Sequence, residues 1–519
     1  MAGMSKGPDP VKREIMRNLL TAVAEEMGIT LQRTSYSPNI KERRDFSCAV
    51  FDSKGDLCAQ ASHIPVHLGS AQESVKWVMR SMELAKGDAV ILNDPYRGGT
   101  HLPDITLVSP VFTDKEKPSF YVANRAHHAD IGGVSPGSMP MAKRIEDEGI
   151  VISPTKIVVG GVVDEKVRDW IINSTRTPRE RTGDLNAQLG ANAIGVKRLE
   201  GMVAKYGEAE LVYYMDALME HSERMMRKVI SDIPDGVYKA QDVMDDDGFG
   251  TKDIPIVLTL TKKGDTAHLD FTGSSPQVPG GINAVLAITY SCAFYVFRCI
   301  AGFDIPPNSG IFRPLSFTLP ERSIVNAAYP SPVVGGNVET SQRIADVILR
   351  ALAQALPGRI PAAGEGTMNN VAIGGEGYTY YETVGGGMGA SAKGPGTSAV
   401  QIHMTNTLNT PVEAIEHEYP FRITRYAVRR GSGGAGKFRG GDGIIREYEF
   451  TGDAEVTIIS ERRTHPPWGL EGGEPAAMGR NIFVSGGVEK ELPGKVNFRV
   501  KKGDRVRIES PGGGGYGKE

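Results

Sequence analysis

Thr100-His101-Leu102-Pro103-Asp104-Ile105-Thr106-Leu107-Val108, answered after a polar turn by Phe120-Tyr121-Val122-Ala123-Asn124-Arg125-Ala126-His127-His128, is the stretch whose reading decides the fold. Residues 105–112 and 119–126 are rich in Val, Ile, Phe and Tyr, which fit a pleated, half-buried surface. Residues 113–118 carry the polar turn formers that join them. In an antiparallel hairpin symmetric about that turn, residues whose numbers sum to about 231 face each other, so Asp104 stands opposite His127.

This register gathers His101, Asp104 and His127 at one end of one hairpin. Such a set suits a borderline divalent ion such as zinc, manganese or iron, whereas calcium and magnesium favour oxygen ligands alone. A satisfied hydrogen-bonded His–Asp group fits the same spacing, and the residues leave both readings open. Successive strand side chains point to opposite faces, so at most one of His127 and His128 can serve, and the register favours His127. Upstream, residues 89–92 read as a short strand stopped by Asn93-Asp94-Pro95, and Gly98-Gly99 lets the next loop fold back.

Lys41-Glu42-Arg43-Arg44-Asp45-Phe46-Ser47, Asn93-Asp94-Pro95 with Gly98 to Asp104, and Arg125-Ala126-His127-His128-Ala129-Asp130-Ile131-Gly132-Gly133 together resemble the B subunit of the hydantoinase/oxoprolinase family. That family is related to the α subunits of acetone and acetophenone carboxylases. Gly183-Asp184-Leu185, Asp270-Phe271-Thr272-Gly273-Ser274, Gly335-Gly336-Asn337-Val338-Glu339-Thr340 and Ser460-Glu461-Arg462-Arg463 extend the resemblance from about residue 10 to the C-terminus. It implies a divalent metal, zinc or manganese, held by Asp45, His101, Asp104 and His127. Asp45 by itself reads as a salt-bridged carboxylate, and only the resemblance makes it a ligand.

The resemblance also implies a partner, an ATPase A subunit carrying ATP and magnesium, in an (αβ)2 hetero-oligomer. The implied reaction is ATP-dependent opening of a small cyclic amide such as a hydantoin, 5-oxoproline or another lactam. The alternatives are an acetone- or acetophenone-type carboxylase and a purely structural subunit. Asp94 and Asp130 are candidates for orienting the ligands or moving a proton.

The chain has 519 residues, which predicts two or three domains. They are drawn as an α/β metal-site domain over 1–250, a central α+β domain with Gly-rich loops over 251–425, and a β-rich domain over 426–519. The expected class is α+β, multidomain, with mixed and antiparallel sheets and packed helices. Lys plus Arg number 59 against 62 Asp plus Glu, a balance that gives no support to nucleic-acid or anionic-membrane binding. Four cysteines without CxxC spacing, no apolar leader and no run of about 18 apolar residues point to a reduced cytoplasmic protein.

Pro10, after a capping Asp9, opens a helix whose stripe is Val11, Ile15, Leu19, Val23 and Met27. His63 and His67 flank Pro65, which opposes a regular helix there, and are read as orienting the site residues from behind or as structural. Helices are also expected from Gly183 to Ile230, over 284–299 and over 344–356, the last behind a glycine turn that either presents amides to an anion or is capped. The 431–437 run GSGGAGK has the spacing of a phosphate loop, but Phe438 stands where Ser or Thr would hold magnesium. Lys502-Gly503-Asp504 echoes Lys86-Gly87-Asp88 as one turn chemistry used twice. Ser460 to His465 reads either as a cationic edge of the site or as a surface ion-pair cluster.

Overall fold

The computed structural model of the chain describes residues 7–519 apart from Ser62, His63, Leu68, Phe303 and Asp304, and its first sheet is built on the expected hairpin. Strands β1 (Phe46–Asp52), β2 (Leu57–Gln60), β3 (Ala89–Leu92), β4 (Asp104–Val111), β5 (Phe120–His127), β6 (Thr155–Val159) and β7 (Val162–Val163) lie in the order β2-β1-β5-β4-β3-β6-β7. Every pairing in it is antiparallel. β4 and β5 pair with Asp104 opposite His127, as the symmetric turn predicts.

Both central strands are buried along their whole length because helices cover both faces. On one face Phe46, Cys48, Val50, Phe120 and Val122 pack with helices α1 (Pro10–Thr34), α3 (Pro178–Tyr206) and α4 (Glu208–Ser231). On the other, Ala49, Phe51, Val108, Tyr121 and Ala123 pack with Val75 and Val78 of α2 (Ser70–Ser81). Alternation along β1 and β5 thus feeds two separate cores.

Asp9 caps α1, its carboxylate accepting the Val11 amide at 2.9 Å, but the buried stripe is not the expected one. Met16, Leu20, Val23, Met27 and Leu31 face the sheet, while Val11 is 69% and Ile15 47% exposed. Each four-residue step overshoots a full turn by about 40°, so a strict four-residue stripe drifts off the face that a mixture of threes and fours keeps. The next long helix, α3, begins at Pro178, five residues before the expected Gly183, with proline in its first turn.

A second sheet, β11-β10-β9-β8, consists of β8 (Gly236–Asp246), β9 (Lys252–Lys263), β10 (Thr266–Asp270) and β11 (Leu315–Thr318). Its apolar face packs in the largest core with α5 (Leu286–Ala301) and α6 (Ser341–Ala355). β8 escapes the sequence reading because its side chains are mostly polar and half-exposed.

The rest of the chain is β-rich: β12 (Asn370–Gly375), β13 (Tyr378–Glu382), β14 (Phe421–Arg429), β15 (Gly443–Phe450), β16 (Ala454–Ile459), β17 (Arg480–Ser485), β18 (Val488–Leu492), β19 (Lys495–Val500) and β20 (Arg505–Glu509). They form the sheets β13-β12-β16-β19 and β14-β15-β20-β17-β18, so residues 370–382 pair into the C-terminal strands. The fold class is α+β.

The glycine runs pack backbone against backbone. A Cβ on Gly440 would lie 1.8 Å from the Gly513 carbonyl oxygen, and one on Gly387 would lie 2.0 Å from that of Gly441. The 431–437 run belongs to this stack, where the Gly434 amide donates to the Gly513 carbonyl. The two Lys-Gly-Asp turns are one structure: Asp88 accepts the Ala85 amide and Asp504 the Lys501 amide, each from three residues back, with Gly87 and Gly503 in the left-handed region.

Within Ser460 to His465 the first three residues are interior, and His465 keeps a half-exposed pairing with Asp245 and Asp253. Arg462 is buried between Asp242 and Asp346, and Glu461 between Lys495 and Arg343. These ion pairs tie the second sheet and α6 to the C-terminal strands.

The observed face of α1 predicts that Leu20→Ala costs about 2–5 kcal/mol and Ile15→Ala less than about 0.5 kcal/mol. Thermal melts of the two variants side by side check it. Equal losses would return the stripe to the four-residue spacing.

Candidate metal centre

Three strands end in a row at one edge of the first sheet. Phe46 pairs with Ala126, so Asp45, just before β1, meets His127, and its carbonyl accepts the His127 amide at 3.0 Å. His127 in turn faces Asp104. The loop before β4 folds back and adds His101.

Asp104 is the hub. Its Oδ1 lies 3.1 Å from His101 Nε2 and 3.3 Å from His127 Nδ1. Its Oδ2 accepts from Thr100 Oγ1 at 2.8 Å and from His67 Nε2 at 3.1 Å. The contact to Ser47 Oγ at His67 Nδ1 fixes the ring of His67, which supports the carboxylate from outside the cluster. His63 lies outside the described residues.

The far nitrogen of each ring decides which nitrogen is free. His101 Nδ1–H faces the Val334 carbonyl at 3.3 Å, which leaves Nε2 with its lone pair. That carbonyl is held by Glu148, whose Oε1 accepts the Val333 and Val334 amides at 2.7 and 2.8 Å. His127 Nε2 lies 2.9 Å from Ser138 Oγ, and donating there leaves Nδ1 free. Burial pushes the His127 imidazole below its ordinary pKa, favouring the neutral form. Burial opposes the charge on Asp104, but the imidazoles of His101, His67 and His127 around it hold its carboxyl well below the usual range.

Each of His101, Asp104 and His127 offers one atom within 4.8 Å of the other two, and all three are buried. Zinc ligands about 2.1 Å from the ion in a tetrahedron stand about 3.4 Å from one another, close to the 3.1 and 3.3 Å separations around Asp104 Oδ1. The donor set and its spacing fit a divalent ion. The Asp45 carboxylate lies outside this set but is buried, and its charge acts on His127.

Other candidates hold the surroundings. His128 points to the opposite face, with Nε2 2.9 Å from Gln188 Oε1. Asp94 caps the short turn Pro95–Arg97, accepting the Tyr96 amide at 3.0 Å and Ser153 Oγ at 3.1 Å. Asp130 accepts the Gly132 amide and the Arg176 guanidinium, tying the loop after β5 to the segment before α3.

Several contributors come from far along the chain. The His127 ring stacks on Tyr381 at 4.6 Å, and the Arg43 guanidinium lies 4.8 Å from the Tyr381 ring and donates to its carbonyl at 2.9 Å. Asn337 Nδ2 lies 3.1 Å from His101 Nε2 across 236 residues of sequence. Ser138 and Tyr381 carry no sequence signal, whereas Asn337 lies in the quoted Gly335–Thr340 motif. The glycine turn there is neither capped nor an anion cradle. Gly336–Thr340 is a π-helical turn that runs straight into α6, and Gly336 is needed because a Cβ would lie 1.8 Å from the Asn283 carbonyl oxygen.

A sequence profile described as hydantoinase B/oxoprolinase matches residues 9–519. An uncharacterized protein of Methanocaldococcus jannaschii is 43% identical over 98% of this chain and 91% of its own length. The 5-oxoprolinase 1 of Arabidopsis thaliana is 39% identical over 98% of this chain but 42% of its own length, so the chain spans about two-fifths of that relative. Among solved structures, the ATP-dependent caprolactamase from Pseudomonas jessenii superposes with a TM-score of 0.92 at 30% identity, covering 99% of this chain and 92% of that one.

Elemental analysis of protein purified without added metal is expected to find about one divalent ion per chain, lost in His127→Ala and kept in His128→Ala. A metal-free wild type would reduce the cluster to a hydrogen-bond network.

Proposed function

The chain belongs to the hydantoinase B/oxoprolinase family, and from that premise we propose that it is the metal-binding subunit of an ATP-dependent cyclic-amide hydrolase. The observation that carries the reading is the convergence of His101 Nε2, His127 Nδ1 and Asp104 Oδ1 on one buried point. His101, Asp104 and His127 would hold the ion, and Asp45 completes the set on grounds of charge. With both imidazoles neutral, two carboxylates cancel a divalent cation, and net charge in a buried site is costly. When bound, the ion supplies Lewis acidity toward a carbonyl oxygen or an attacking water.

The remaining groups have positioning tasks in this reading. Val334 and Ser138 keep each ligand nitrogen unprotonated, and Thr100 and His67 hold Asp104 so that one oxygen faces inward. Asp94 and Asp130 fix the two loops that carry His101 and follow His127.

The names 5-oxoprolinase and caprolactamase each denote a lactam, a resonance-stabilised amide and a poor electrophile. Phosphorylating the ring oxygen raises the electrophilicity of its carbon, which gives the coupling to ATP a chemical reason. We assign that step to an ATPase A subunit, in an (αβ)2 assembly. Two observations favour the division. The 431–437 run is consumed by the glycine stack, and the Arabidopsis relative extends well beyond the span matched by this chain.

The test is ring opening of 5-oxoproline, hydantoin and caprolactam by this chain together with its ATPase subunit, with ADP formed in step with product. The His101→Ala/His127→Ala double variant is expected to lose its metal and at least about 100-fold in rate. Retention of both in that variant would sink the reading, and stable uptake of labelled bicarbonate would redirect it to carboxylation.

A further inference from the structure

A cavity of about 520 Å³ that none of His101, Asp104 and His127 lines lies between the C-terminal end of α5, residues 359–364 and the loops around Met388 and His403. Its volume is that of a pocket for a small molecule. Leu349, Ile360 and Ile402 contribute apolar wall, and Tyr295, Cys299, Arg359, Lys393, Gln401 and His403 are its polar groups.

A chain of hydrogen bonds holds His403 in place. Asp346, wholly buried on α6, accepts from Arg462 Nη2 at 2.7 Å and lies 3.1 Å from His403 Nε2. Burial opposes its charge, but the His403 hydrogen bond and the Arg462 guanidinium hold its carboxyl below the usual range. As a carboxylate it takes the Nε2–H, which leaves His403 Nδ1 to accept the Tyr295 hydroxyl at 3.4 Å. Burial pushes the Tyr295 phenol well up, so the hydroxyl keeps its proton and the oxygen keeps lone pairs for a donor. Gln401 supplies a second acceptor: its Nε2 donates to Thr383 Oγ1 at 3.1 Å, and its buried Oε1 has no partner. Such bare oxygens are rare in protein interiors. His403 stands in the left-handed region at φ 50°, which a residue with a Cβ keeps only where its surroundings impose it.

The charge around the cavity is positive. Arg359 and Lys393 are exposed, and neither forms an ion pair among the described residues. The Arg359 guanidinium donates to the Ile300 carbonyl at 3.2 Å, and the described lining holds no aspartate or glutamate. Two unpaired cations beside an apolar wall attract an anion, and a guanidinium matches the planar fork of a carboxylate. The cavity therefore offers cations for a carboxylate, apolar side chains for an aliphatic body and two acceptors for an N–H.

We propose that this cavity binds a small amino carboxylate, with its carboxylate at Arg359 and Lys393 and its amine at Tyr295 and Gln401. Hydrolysis of a lactam releases this class of molecule, glutamate from 5-oxoproline and 6-aminohexanoate from caprolactam. On the cyclic-amide reading above, on which this match rests, the cavity takes the reaction's product. One backbone segment joins it to the metal centre. His403 lines the cavity, and the next carbonyl, that of Met404, accepts the amide of Val66, whose neighbour His67 holds Asp104.

Cys299 reports on occupancy, because it lines the cavity and is exposed while Cys48, Cys58 and Cys292 are buried. The full chain is treated with iodoacetamide, a neutral reagent, and alkylation of Cys299 is followed by mass spectrometry. Glutamate or 6-aminohexanoate at about 10 mM is expected to slow it about tenfold, the protection given by a dissociation constant of about 1 mM. Hexanoate, which lacks the amine, and sulfate are expected to slow it less than about twofold at that concentration. The Arg359→Gln/Lys393→Gln variant, changed only at exposed positions, is expected to keep its melting temperature and lose the protection. No slowing by either amino acid, equal slowing by hexanoate or sulfate, or slowing that survives in the double variant overturns the site. The labelling needs neither ATP nor ring opening, so its failure leaves the hydrolase reading intact. An assembly that opens no lactam overturns that reading and leaves the amino-carboxylate site standing.

Discussion

The pairing of β4 with β5 is the constraint on which the site depends. A slip of one residue would turn every side chain of one strand to the other face, bringing His128 toward Asp104 and sending His127 toward Gln188. The slip is opposed along the whole hairpin because both faces are buried. Val122 and Phe120 fit the core under α1, and Tyr121 and Ala123 fit the core under α2. Apolar packing on both faces of the hairpin therefore sets the position of one histidine.

Burial on both sides has a second consequence. His101, Asp104 and His127 are almost wholly withdrawn from water, so every polar atom among them needs a partner or carries a cost. The protein supplies partners in layers: Glu148 holds the amides beside the Val334 carbonyl, that carbonyl faces His101, and Thr100 and His67 saturate one Asp104 oxygen. The shell is not complete, since Glu148 Oε2, Arg43 Nε and Asn337 Oδ1 stay without a hydrogen-bond partner. A rigid shell with a few deliberately unpaired atoms is how a site is held ready at the expense of some stability.

The glycine content, 63 residues of 519, serves packing more than flexibility. In the C-terminal region three glycine runs stack backbone on backbone, with their amides and carbonyls bonded across the layers. The buried pairs of Arg462 with Asp242 and Asp346 fasten the strands of that region to α6, the helix that grows out of the Asn337–Glu339 turn. The C-terminal strands thus bear on the site although they contribute none of the His101, Asp104 and His127 cluster.

The sequence by itself determined the hairpin, its register and the choice of His127 over His128. These follow from local rules: strand alternation, turn symmetry and the opposite directions of adjacent side chains. It also determined the cap of α1 and the twin Asp88 and Asp504 turns, which are contained within a few residues. Only the tertiary structure decided which face of α1 is buried, since that depends on the helix's angle to a sheet formed later in the chain. The same holds for Glu461 and Arg462, whose charges became interior when Asp242, Asp346 and Lys495 closed around them. Asn337 and Tyr381 reach the histidines through packing between distant segments, and no periodicity or spacing encodes such contacts. Short-range geometry placed the His101, Asp104 and His127 cluster, and long-range burial of polar groups decided what surrounds it.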